Sequence, residues 1–104
     1  MKKKYRIEYL PIAEKDLLEV LEYIQNDNLS AAISFIDELD SSISKLENFP
    51  FIGHNTKDTR LQYLNYRALV VQYYLIFYVV TEDVIEIRRI LHGKRKYSFL
   101  LNVY

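Results

Sequence analysis

The chain has 104 residues, half of them hydrophobic, with only two Gly and two Pro, so a single globular domain over residues 1–104 with its own buried core is expected. It contains no cysteine, which excludes disulfides, zinc–thiolate sites and a thiol nucleophile, and fits a reducing, cytoplasmic setting. Its zero net charge conceals a division: residues 1–52 carry six Lys or Arg against ten Asp or Glu, and residues 53–104 carry eight against four. There is thus no overall attraction for a polyanion, but a local basic patch on the second half remains available.

The start, Met1-Lys2-Lys3-Lys4, resembles a signal-peptide head, but Arg6 and Glu8 interrupt what would be its apolar region. From Tyr5 to Leu10 the pattern alternates, with Tyr5, Ile7 and Tyr9 on one side, and predicts a first strand. Pro11 ends that strand and suits the first turn of a helix. Between Ile12 and Ile24, Ala13, Leu17, Val20, Leu21 and Ile24 recur at helical spacing, while Glu14, Lys15, Asp16, Glu19 and Glu22 are assigned to the outer face.

Asn26-Asp27-Asn28 ends this helix, and Asn28 or Ser30 caps the next. The second helix is expected to run to about Glu47, with Ala32, Phe35, Ile36, Leu39, Ile43 and Leu46 as its apolar stripe. Helices joined so tightly pack as a hairpin, and their stripes need a second layer.

Phe49-Pro50-Phe51-Ile52-Gly53 breaks the helical pattern, and His54 to Gln62 reads as a polar loop. Three β-branched and aromatic runs follow, Tyr66–Val71, Tyr73–Val80 and Val84–Leu91, separated only by short polar breaks that favour an antiparallel meander. The middle run hardly alternates, so it belongs at the sheet centre with both faces covered; it is also far too short to span a bilayer. In the last run, Ile85, Ile87 and Leu91 share a phase with Arg89, an arginine that must snorkel to an edge or find a partner. The expected fold is α+β: an N-terminal strand beside a later one, a two-helix hairpin on one face of a mostly antiparallel four-stranded sheet, and room for a short C-terminal helix.

Several chemistries are poorly provided for. The two glycines stand alone, so there is no phosphate-cradling loop. Two histidines far apart make a metal site improbable, and no cofactor motif is present. No serine sits in a nucleophile elbow, and the carboxylates occupy expected helix exteriors. What remains is a cationic group: Arg67, Arg88, Arg89, His92, Lys94, Arg95, Lys96 and Tyr97. Such residues can hold phosphates, stack on bases and move protons in metal-free RNA cleavage, or simply form a solvated basic strand end that docks an acidic partner.

The order strand, helix hairpin, Phe49-Pro50-x-x-Gly53, then YR…YYLIFYVV…VIEIRRILHGKR resembles the RelE/ParE superfamily of bacterial type II toxins across roughly Tyr5 to Leu101. The resemblance implies a cytoplasmic toxin bound by a cognate antitoxin, with a homodimer or a toxin–antitoxin hetero-oligomer as the assembly. RelE-like members cut messenger RNA on the ribosome with sheet-borne cations and a Tyr or His; ParE-like members inhibit DNA gyrase. Here Leu75 stands where the RelE pattern has an arginine, and Leu69 where it has the second of two lysines, while Arg67 can replace the first. Each lost donor would cost about 3 kcal/mol of transition-state stabilisation. The RILHGKR stretch also resembles the ParE branch more closely, although Lys96 stands where an acid is usual.

Gyrase inhibition is therefore the leading expectation, with no enzymatic activity of its own. Arg67, Arg88, Arg89, Lys94, Arg95 and Lys96 are then contacts to the target or antitoxin. A ribosome-dependent endoribonuclease using Arg67, His92, Arg95 and Tyr97 is the alternative, and a toxin fold that only binds is the third.

Overall fold

The computed structural model describes residues 4–94. Strand β1 (Arg6–Tyr9) leads into α1 (Pro11–Asp27), with Pro11 in its first turn as expected. Asn28 separates α1 from α2 (Leu29–Ser44), and its side-chain oxygen accepts a hydrogen bond from the Ala31 N–H, so the cap is Asn28 and not Ser30. A short 3₁₀ turn, Lys45–Glu47, continues α2. Then come β2 (His54–Asn55), α3 (Thr59–Tyr63), β3 (Arg67–Val71), β4 (Tyr74–Thr81) and β5 (Val84–His92).

The sheet has five strands in the order β1-β5-β4-β3-β2, one more than expected, because His54 and Asn55 pair with Ala68 and Arg67 at its edge. Strands β3, β4 and β5 form the antiparallel meander, and β1 joins β5 in parallel. The two-residue turns Gln72-Tyr73 and Glu82-Asp83 hold Gln72 (φ 55°) and Glu82 (φ 50°) in the left-handed region. Non-glycine side chains adopt that region at a cost of roughly 1–2 kcal/mol.

Both faces of the central strand are covered. Tyr74, Ile76 and Tyr78 of β4 meet Ala13 and Val20 of α1, Phe35, Leu39 and Ile43 of α2, and Leu46 of the 3₁₀ turn. Phe77 and Val79 point the other way, into a second cluster with Leu61, Tyr66, Ala68 and Leu91. The segment expected to be a polar loop thus does structural work: α3, capped by Asp58 through the Arg60 and Leu61 amides, delivers Leu61 to the second face. Ile36, assigned to the α2 stripe, is exposed instead.

Three residues lie on a side other than the expected one. Asp16 is buried against β5 rather than solvated. The phase of β5 also shifts: Phe77 lies opposite Arg89 and Tyr78 opposite Ile87, which leaves Arg88 as an extra residue in a β-bulge. Beyond the bulge Ile90 joins the helix-facing core, and Leu91 turns to the opposite face, reversing the expected alternation.

Candidate functional site

The cationic residues of β3 and β5 are distributed by the pleat of the sheet and by the bulge. Arg89 turns toward α1. Its Nε donates to Asp16 Oδ2 at 2.7 Å and its Nη2 to Asp16 Oδ1 at 3.0 Å, while the Ile90 amide donates to Oδ2 at 3.0 Å. The two residues are 7% and 6% exposed. A paired and amide-bonded carboxylate is the form in which a buried guanidinium is tolerated, and this pair clamps the helix to the bulged strand. Arg89, expected among the contacts to a target or antitoxin, is thereby turned into the interior.

Arg88, one residue earlier, goes to the opposite face. Its Nη2 and Nε donate to Glu86 Oε1 at 2.7 and 3.2 Å, and its guanidinium lies 5.4 Å from the centre of the Tyr66 ring. Consecutive arginines on a strand face apart, so their adjacency in sequence does not make a joint site.

Arg67, at the start of β3, is directed to the loop before β2. Its Nη1 donates to the Phe51 and Gly53 carbonyls at 3.2 and 3.0 Å, with the Phe51 ring beneath it at 5.2 Å. The same loop is held by Tyr78, whose hydroxyl donates to the Pro50 carbonyl at 2.8 Å and accepts from the Gly53 amide at 2.9 Å. Burial holds the Tyr78 hydroxyl above its ordinary pKa, against the opposing pull of the Gly53 amide and the Arg67 charge. Gly53 is required here by contact: a Cβ would stand 2.5 Å from the Tyr78 oxygen.

His92, at the end of β5, and Lys94 beyond it are exposed. His92 Nδ1 accepts the Lys94 backbone N–H at 3.1 Å, which leaves Nε2 as the outward nitrogen. Its ring is parallel to that of Tyr73, with centroids 6.4 Å apart, and edge-on to Tyr74 at 5.4 Å.

These residues do not converge. Arg67 sits opposite Tyr78 and His92 opposite Tyr74 on the central strand. Four residues of strand put them about 13 Å apart along the sheet, with a further two strand spacings of about 5 Å each across it. No single phosphate could engage both. Leu69 and Leu75 pack against the two core clusters. Arg95, Lys96 and Tyr97, and the expected C-terminal helix, lie outside the described residues. Among the described residues, no group of three or more His, Asp or Glu is placed to hold a metal ion, and no helix is long and apolar enough to cross a membrane.

What the sequence reading missed is a cavity of about 280 Å³ between α1 and the ends of β4 and β5, lined by Asp16, Glu19, Val20, Tyr23, Tyr74, Ile90, Leu91 and His92. A signal for part of it was present: Asp16 lies three residues after Ala13 and four before Val20, within the apolar stripe.

No curated protein matches the chain. A chain in the solved structure of a chromosomal ParDE TA system from P. aeruginosa has the same fold, with a TM-score of 0.70 and 14% sequence identity. The match covers 88% of this chain and 99% of that one. The family model described as the ParE toxin of the type II toxin-antitoxin system, parDE, matches residues 7–97. The chain belongs to the ParE toxin family.

Proposed function

We propose that this chain arrests growth by inhibiting DNA gyrase and is neutralised by an antitoxin protein. The observation that carries the reading is the commitment of the sheet arginines to internal partners: Arg67 to the Phe51 and Gly53 carbonyls, Arg88 to Glu86, and Arg89 to Asp16. Metal-free RNA cleavage needs several cations aimed at one phosphorane. Arginines spent on loop, strand and helix contacts support a toxin that works by binding. Membership of the ParE family and the apolar packing of Leu69 and Leu75 support the same choice. The ParDE system in which the similar fold occurs supports an antitoxin partner.

In this reading the exposed end of β5, with His92, Lys94 and the adjoining Tyr73, presents contacts to target or antitoxin, and Arg95 and Lys96 extend them. Titrating the purified protein into a gyrase supercoiling reaction tests the proposal. Supercoiling should decline with added protein and recover when antitoxin is supplied; undiminished supercoiling at excess protein refutes it.

One observation favours a second reading. His92 is exposed and its Nδ1 is engaged by the Lys94 amide, which leaves Nε2 as the proton-transfer nitrogen for a superfamily nuclease relying on a lone histidine. Cleavage of messenger on programmed ribosomes that disappears in His92→Ala would establish that reading instead.

A further inference from the structure

The cavity between α1 and the ends of β4 and β5 has a lining of one chemical character. Tyr23, Tyr74 and His92 supply aromatic rings, Val20 and Ile90 an apolar floor, and Asp16 and Glu19 carboxylates; among the described residues no Lys or Arg lines it. The Asp16 charge is answered by Arg89, which leaves Glu19 as the lining carboxylate without a counter-ion among the described residues. Glu19 is exposed and has no ion pair among the described residues. Tyr74 is braced by an edge contact to Phe35 at 5.2 Å and by His92 at 5.4 Å, so two walls are fixed before any ligand arrives. Burial, with Tyr23 nearby, keeps the Tyr74 hydroxyl above its ordinary pKa, so this wall stays neutral at physiological pH.

Aromatic faces around a carboxylate, above an aliphatic floor, are the recognition chemistry of an organic cation with an alkyl stem. The volume, about 280 Å³, falls just below the range of roughly 300–1,000 Å³ in which drug-sized ligands are engulfed, and suits one side chain. Tyr23 on the rim and Tyr73 beside His92 are 74% and 78% exposed. Exposed aromatics around a small, partly apolar cavity are the composition of a protein–protein contact. A planar guanidinium can stack on a ring and pair with a carboxylate at once, which an ammonium cannot.

We propose that this cavity receives one arginine side chain from a partner protein, its guanidinium paired with Glu19 and packed against Tyr23, Tyr74 and His92. The inference does not depend on the gyrase reading, since either the target or the antitoxin can supply the side chain.

The test is an amide-resolved NMR titration of the full chain with Nα-acetyl-arginine amide, using the matching lysine and glutamate compounds as comparators. Saturable shifts confined to the neighbourhood of Glu19, Tyr23 and His92 are expected with the arginine compound, weaker ones with lysine and none with glutamate. Glu19→Gln, at an exposed site where the fold is not at risk, should weaken the arginine response by roughly three- to tenfold. Absence of saturable shifts, an equal response to the lysine or glutamate compound, or an unchanged response in Glu19→Gln would overturn the proposal. Tighter binding of free arginine than of its capped form would assign the cavity to a small metabolite and equally overturn the partner claim.

Discussion

Arg89 reaches across 73 residues of sequence to grip both oxygens of Asp16, at 2.7 and 3.0 Å, at the point where a bulge interrupts the ladder between β4 and β5. The Ile90 amide completes the grip, so one carboxylate fixes the register of α1 against the strand and satisfies a backbone donor beside the irregularity.

Removing one partner of this pair should be far worse than removing both. Asp16→Ala removes the carboxylate that pairs with the buried Arg89 guanidinium, and a loss of about 3–5 kcal/mol is expected in urea denaturation. The double variant Asp16→Leu, Arg89→Met should recover part of that loss, because an apolar pair replaces a buried ion pair at little cost while the Ile90 amide still lacks its acceptor. Additive losses would show that the two residues act separately.

Gly53 and Tyr78 form a second coupled pair. Tyr78→Phe removes the hydroxyl that bonds Pro50 and Gly53, and should cost about 1–3 kcal/mol. Gly53→Ala drives a methyl group into the same hydroxyl and should cost a similar ~1–3 kcal/mol. Combining them should cost less than the sum in a double-mutant cycle, since the loss of the hydroxyl relieves part of the clash.

Neither of these pairs was visible as a pair in the sequence, although much of the fold was. The helices were legible because Ala13, Val20 and Ile24, and later Phe35, Leu39 and Ile43, keep helical spacing; the central strand was legible because its run barely alternates. The short helix α3 was not, because one buried residue, Leu61, leaves no period to detect. Alternation along β5 failed at Arg88, since a bulge inserts a residue without any local compositional mark. Arg88 and Arg89, grouped in the sequence as contacts to a target or antitoxin, are delivered to opposite faces. Arg89 stood on a core-facing phase, but Asp16 was assigned to the outer face of α1 with its acidic neighbours, so the pair was not read.

The tyrosines give the protein an alkaline limit. Burial raises the pKa of Tyr9, Tyr74 and Tyr78 above the ordinary value of 10.0. Groups raised in the folded state favour folding below their unfolded pKa, and that contribution is lost as pH rises through the folded values. Spectrophotometric titration should therefore show a subset of the ten tyrosines ionising late, with the denaturation midpoint falling over the same pH range. Uniform ionisation near the unperturbed value while the chain stays folded would contradict the burial.

Arg67 should behave as a loop anchor. Arg67→Ala loses the bonds to Phe51 and Gly53 and the ring contact, and is expected to cost about 1–2 kcal/mol by thermal denaturation. Arg67→Lys should restore little of it, because one ammonium cannot reproduce a stacked planar donor. Full restoration by lysine would mean that only the charge matters.

The most direct test of gyrase as the target reads plasmid topology and messenger integrity from one culture after the chain is induced without its antitoxin. The account predicts relaxed plasmid together with full-length messenger. Normally supercoiled plasmid together with truncated messenger would contradict it.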